Sequence, residues 1–247
     1  MIGEKLKEML GTWTCLHPFF ESEAWPKIKE ALKPDMGNIT PDIEVWFRAF
    51  KECPWEEVKV VWLGLSPYYS RDSYTKENVA DGLAFSTAQK HSVPPSLFKL
   101  YKGMEWDMWG GMNLDMMRSN QLSFLAKQGI LMINSSLTTT YGNADSHLEI
   151  WKPFIDYVMT KLICEKQDLV VTGFGKVAQG FTSICKRNQY VLDVEHPAAA
   201  SYQSRDWEHK NLFSETNKIL EKLGKEPILW DTYLIKQHAT VQVPSGA

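Results

Sequence analysis

The sequence predicts an α/β fold, a three-layer α/β/α arrangement around a mostly parallel four-stranded sheet. Three observations carry this. Four short β-prone apolar runs occupy residues 58–63, 130–133, 169–172 and 190–194. Helical patterns separate them, so the strands are joined by crossovers rather than hairpins. The runs are apolar almost throughout, as expected of strands covered on both faces.

The elements follow in order. The first fifty residues, rich in Trp and Phe, read as helices packed on the sheet, with residues 41–50 as the helix before the first strand. Gly64 ends that strand, and the segment 125–129 leads into the second. Residues 147–166 form a long amphipathic run, 176–185 a shorter one, and 211–223 the last helix. Gly224 then suits a left-handed helix stop. The expected organisation is a helical segment at 1–54, a core domain at 55–230, and a tail at 231–247 that reads as disordered.

Composition narrows the class. The chain has 247 residues, 44% hydrophobic and 23% charged, enough for one domain with a large core. No run approaches the roughly 18 apolar residues of a membrane span. The N-terminus lacks a secretory apolar core. Cys15, Cys53, Cys164 and Cys185 show no metal-type spacing, which points to a reduced compartment. The expectation is an intracellular protein, cytoplasmic or nucleoid-associated. A net charge of −3 means that any nucleic-acid surface must gather its cations on one face.

Four segments stand out, three of which end or follow a β-prone run: Gly64-Leu-Ser-Pro-Tyr-Tyr69, Gly82-Leu-Ala-Phe-Ser86, Ile130-Leu-Met-Ile-Asn-Ser-Ser-Leu137 and His196-Pro-Ala-Ala-Ala-Ser201. In open α/β sheets, sites lie beyond the carboxyl ends of the strands, so these segments converge on one rim. Singly, each has an ordinary reading: a core Phe, a turn-capping Asn, a His-Pro loop. In this order they resemble the uracil-DNA glycosylase family, and the likeness spans about residues 55–230.

The resemblance implies an enzyme that flips a pyrimidine from DNA and hydrolyses its N-glycosidic bond, without metal or cofactor. Phe85 would stack on the base, Asn134 would bond its edge, and His196 would donate to the pyrimidine O2 as negative charge builds there. Tyr68 would stand against C5 and exclude thymine, and Leu65 replaces a glutamine beside the base. Ser66 stands where the family has its water-activating aspartate. Serine can bond a water but is no base at neutral pH. Restoring aspartate at Ser66 is therefore expected to raise uracil excision if only the acid is missing.

The segment 70–81 is about twice the family's length. It reads either as surface elaboration or as a remodelled wall admitting a C5-modified pyrimidine, with Asp72, Glu77 or Asp81 as a stand-in acid. DNA contacts are expected from Ser96 in the proline-rich loop, from Lys176, and from Ser201, Tyr202 and Arg205 after the His196 motif. Ala200 takes the place of the family's wedge leucine and is too small to part bases. Either Tyr202, Arg205 or Trp207 fills the gap or the segment is a plain surface loop, and single-stranded DNA or already poorly paired bases are the easier substrates. Two other readings stand beside excision: a catalytically silent DNA-binding or protein-interaction module, and an enzyme modifying a flipped pyrimidine without excising it.

Overall fold

The computed structural model describes residues 3–89, 93–111, 119–185 and 189–231. In chain order its elements are α1 (Glu4–Leu10), α2 (His17–Glu21), α3 (Ala24–Leu32), β1 (Ile39–Thr40) and α4 (Arg48–Glu52). Next come β2 (Val60–Gly64), α5 (Pro95–Trp109), α6 (Ser123–Ala126), β3 (Ile130–Asn134) and β4 (Thr139–Thr140). The chain then forms α7 (Leu148–Glu165), β5 (Leu169–Gly173), α8 (Lys176–Thr182), β6 (Gln189–Val191), α9 (Pro197–Tyr202) and α10 (Leu212–Lys222).

The main sheet runs β3-β2-β5-β6, and every pairing in it is parallel. Every residue of β2, β3 and β5 is buried, the pattern of strands enclosed between helical layers. Aromatic side chains fill one side: Phe19, Phe20, Phe47 and Phe50 pack edge-on or tilted around Phe154 of α7. The N-terminal helices are thereby joined to the sheet by one continuous core. On another side Trp62 of β2 stacks on Trp230 with ring centroids 5.8 Å apart. No described helix is long and apolar enough to cross a membrane.

Three details differ from expectation. The helix expected over 41–50 divides into a 3-10 turn, Ile43–Val45, and α4. The Pro41 carbonyl accepts from Trp46 Nε1 at 3.0 Å, and the Val45 N–H bonds Asp42 instead. That removes the bond a continuous helix would make there. The last strand is Gln189–Val191, shorter than predicted, because Asp193 accepts the Gly173 N–H on its own carboxylate. The proline-rich stretch read as a loop opens α5 instead: Pro95 sits at a first-turn position, where its missing N–H costs nothing. The tail expected at 231–247 lies outside the described residues after Asp231.

Candidate active site

Parallel pairing puts the carboxyl ends of β2 and β3 side by side, with Gly64 opposite Asn134. Ser135 ties the two exits together: its backbone N–H and its hydroxyl both donate to the Gly64 carbonyl, at 2.9 and 2.8 Å. Gly64 is required by a close approach. A Cβ there would lie 2.4 Å from Asn134 Oδ1. The Asn134 side chain therefore lies across the glycine with only 9% of the residue exposed, and no described residue hydrogen-bonds its amide. A buried, unpartnered carboxamide is costly unless a ligand satisfies it.

Phe85 is held in the left-handed region at φ 67°, a rare setting for an aromatic residue. Strain of this kind gathers at functional sites. The Ala84 N–H donates to the Met132 carbonyl and so fixes the segment against β3. The Phe85 ring packs edge-on to Phe174 at 4.7 Å and lies 5.6 Å from the His196 ring.

His196 caps α9, and its Nδ1 accepts the Ala198 N–H at 3.1 Å. Burial pushes its pKa down to about 4, against the opposing pull of Asp145 and Glu195. At neutral pH the ring is uncharged, and because Nδ1 is an acceptor the proton is on Nε2. That leaves one N–H donor for a ligand.

These three groups face one cavity of about 610 Å³. Leu65, Ser66, Tyr68, Ser96, Ser201 and Tyr202 also line it, so nine of the residues singled out from sequence meet there. Tyr68 is clamped. Its hydroxyl donates to the Phe85 carbonyl at 2.9 Å and accepts from Ser96 Oγ at 3.1 Å, and burial raises its pKa beyond the ordinary phenol range. The Ser96 hydroxyl thus points inward to Tyr68. Ser201 donates to the Pro95 and Pro197 carbonyls.

Lys176 and Arg205 lie outside the cavity. Lys176 is exposed at the start of α8, whereas Arg205 is engaged by Glu195, Gln203 and the Asp206 carbonyl. Trp207 is no wedge: it is 5% exposed and donates its Nε1 to the Glu195 carbonyl. Tyr202 is 81% exposed at the cavity mouth.

None of the expected stand-in acids lines the cavity. Asp72 accepts from Tyr74 and Thr75 within its own turn, and Glu77 is exposed. Asp81 is buried in an ion pair with Arg48 at 2.9 Å and accepts from Ser86 at 2.7 Å. The carboxylate that reaches Ser66 is Asp145, which the sequence reading passed over: Ser66 Oγ donates to Asp145 Oδ1 at 2.5 Å. Its one signal was position, in Ala144-Asp-Ser-His147 just ahead of α7.

The family model of the uracil DNA glycosylase superfamily matches residues 50–221. A uracil-DNA glycosylase of Campylobacter jejuni subsp. doylei is 35% identical over 78% of this chain and 79% of its own. Uracil-DNA glycosylase 1 of Listeria monocytogenes serotype 4b is 32% identical over 90% of this chain and 98% of its own. The crystal structure of mimivirus uracil-DNA glycosylase shares the fold, with a TM-score of 0.79 at 23% identity, over 91% of this chain and 88% of that one. With the family model covering most of the chain and relatives matched along 79% and 98% of their own length, the chain belongs to the uracil DNA glycosylase superfamily, a family of DNA N-glycosylases.

Proposed function

We propose that this protein accepts a pyrimidine flipped out of DNA and hydrolyses its N-glycosidic bond, with uracil as the base that fits best. The observation that carries the reading is the convergence of a stacking ring, an unpartnered amide and a neutral imidazole donor on one cavity. Phe85 offers the face, Asn134 the edge contact, and His196 Nε2–H a donor to the oxygen where charge develops. A neutral donor suits a leaving base that departs as an anion. The clamp on Tyr68 favours uracil: with its hydroxyl held by Phe85 and Ser96, the ring cannot swing aside for a C5 substituent.

A second reading has one observation behind it. The long segment 70–81 contributes Ser70, Val79 and Ala80 to the cavity wall, which suits a larger C5-substituted pyrimidine. For DNA outside the cavity, Lys176 is an exposed cation available to a phosphate, and Tyr202 and Ser201 stand at the mouth. With Tyr202 the one exposed aromatic beyond the His196 motif among the described residues, bases that are already unpaired are the easier targets.

The test is a panel of oligonucleotides, single-stranded and duplex, carrying uracil, thymine, 5-hydroxymethylcytosine or its glucosylated form, incubated and then cleaved at abasic sites with alkali. Uracil excision lost in Asn134→Ala and His196→Ala supports the first reading, and excision confined to the modified cytosines supports the second. Tight DNA binding with no abasic product from any base overturns both in favour of a silent module.

A further inference from the structure

We propose that Asp145 supplies the carboxylate of the hydrolytic step, holding the attacking water together with Ser66 and facing the sugar as positive charge develops on it. The inference deepens the excision reading and rests on it for the identity of the reaction. It stands on three observations.

The first is contact. The Ser66–Asp145 hydrogen bond of 2.5 Å lies in the range of charge-assisted O–H···O⁻ pairs, and both residues line the cavity that holds Phe85, Asn134 and His196. With Ser66 donating to Oδ1, its own lone pairs remain available, and Asp145 Oδ2 accepts nothing from the described residues. Two acceptors on bonded neighbours thus line the same cavity, and a water held by both would give them its protons and keep a lone pair for attack.

The second is backbone geometry. Asp145 is held at φ 61°, the left-handed region that Asp tolerates better than most residues. The third is the scaffold on either side. Ser146 Oγ accepts the Thr140 N–H at 2.8 Å and bonds Thr139 Oγ1 at 3.0 Å. Buried His147 is bonded to Thr138, Thr140 and Asp35. Upstream, the Gly142 N–H donates to the Tyr69 carbonyl, joining this loop to the one that carries Ser66. Seventy-nine residues separate the partners, and these bonds bring them together.

The step balances as follows. The C1′–N1 bond breaks and its electron pair leaves with the base, whose O2 accepts from His196 Nε2–H. The water oxygen bonds to C1′, its proton passes to Asp145, and the carboxylic acid returns that proton to the departed base or to solvent. No co-reactant besides water is needed.

Asp145→Asn is the decisive variant, because asparagine keeps the shape, tolerates the same backbone region and removes the charge. Two measurements are made on wild type, Asp145→Asn and Ser66→Ala. The first is single-turnover excision from a uracil oligonucleotide against pH. Asp145→Asn is expected to lose on the order of 10²–10⁴-fold at neutral pH, while Ser66→Ala loses only about tenfold. Equal losses in the two variants would reduce Asp145 to a positioning residue and overturn the proposal.

The second measurement does not depend on turnover. Fluorescence anisotropy compares an oligonucleotide carrying a cationic pyrrolidine sugar analogue with one carrying the neutral tetrahydrofuran analogue. Wild type is expected to prefer the cation by roughly tenfold, and Asp145→Asn to lose that preference. An unchanged preference overturns the role of Asp145. Absence of excision by wild type on every base overturns the excision reading, and the anisotropy arm still decides whether Asp145 faces the sugar.

Discussion

Ser66→Asp is the substitution for which sequence and structure give opposite expectations. From the motif alone, restoring an aspartate should raise uracil excision strongly. The structure places a carboxylate already there, 2.5 Å from the serine hydroxyl. An aspartate at 66 would bring two carboxylates to within about 4 Å, where unit charges at an effective dielectric near 20 repel by about 4 kcal/mol. That corresponds to a shift of about 3 pKa units, so the second ionisation of the pair would fall near pH 7 rather than near 4. At pH 6, below that second ionisation, the variant would then hold close to one negative charge. Single-turnover excision at pH 6 should stay within about tenfold of wild type, and a new ionisation should enter the rate profile between about pH 6 and 8. The exchange Ser66→Asp with Asp145→Ser should remove that second ionisation. A gain of a hundredfold or more at pH 6 from Ser66→Asp alone, with no new ionisation, would refute the reasoning, because it would mean that no carboxylate acts there in the native protein.

Three further outcomes follow from the site. Gly64→Ala places a methyl 2.4 Å from Asn134 Oδ1; the amide can move, so the melting temperature should hold within a few degrees while excision falls by about 10–100-fold, read by thermal denaturation beside a turnover assay. His196 has its folded pKa depressed to about 4, so the unfolded chain takes up the proton first: stability is intact above pH 6.5 and is lost as pH falls toward 4, by about 3 kcal/mol. Urea unfolding at pH 7 and pH 4 should show a difference smaller by that amount in His196→Gln, and an identical difference in both proteins would contradict the buried neutral ring. Tyr202→Ala should cut excision from duplex DNA by at least about tenfold while sparing single-stranded substrate; equal losses on both would assign Tyr202 to the base pocket instead.

Much of this architecture was legible because its signals are local. A strand buried on both faces must be apolar at nearly every position, so β2, β3 and β5 show as runs in the sequence. Their exits are marked by residues with few substitutes: Gly64, which leaves room for Asn134, and Gly175, at φ 84°, where a Cβ would meet His196 Cβ at 3.0 Å. Asp145 was illegible for the opposite reason. Its importance comes from loop closure across 79 residues, and an isolated aspartate ahead of a helix resembles any solvated turn. The acids that drew attention instead lay close in sequence to the altered motif, but Asp72 closes its own turn and Asp81 is neutralised by Arg48. Trp207 is a similar case: its place just beyond the His196 motif suits a wedge, yet its indole is buried and bonded to the Glu195 backbone.

The most direct measurement of the whole account is single-turnover release of free base from a uracil-containing single strand by wild type, Phe85→Ala, Asn134→Ala and His196→Ala, each checked for folding by circular dichroism. Wild type should release uracil, and each variant should slow release by on the order of 10²-fold or more while retaining its fold. Release at the wild-type rate by folded Asn134→Ala and His196→Ala would contradict the assignment of this cavity as the place where the base is held and cut.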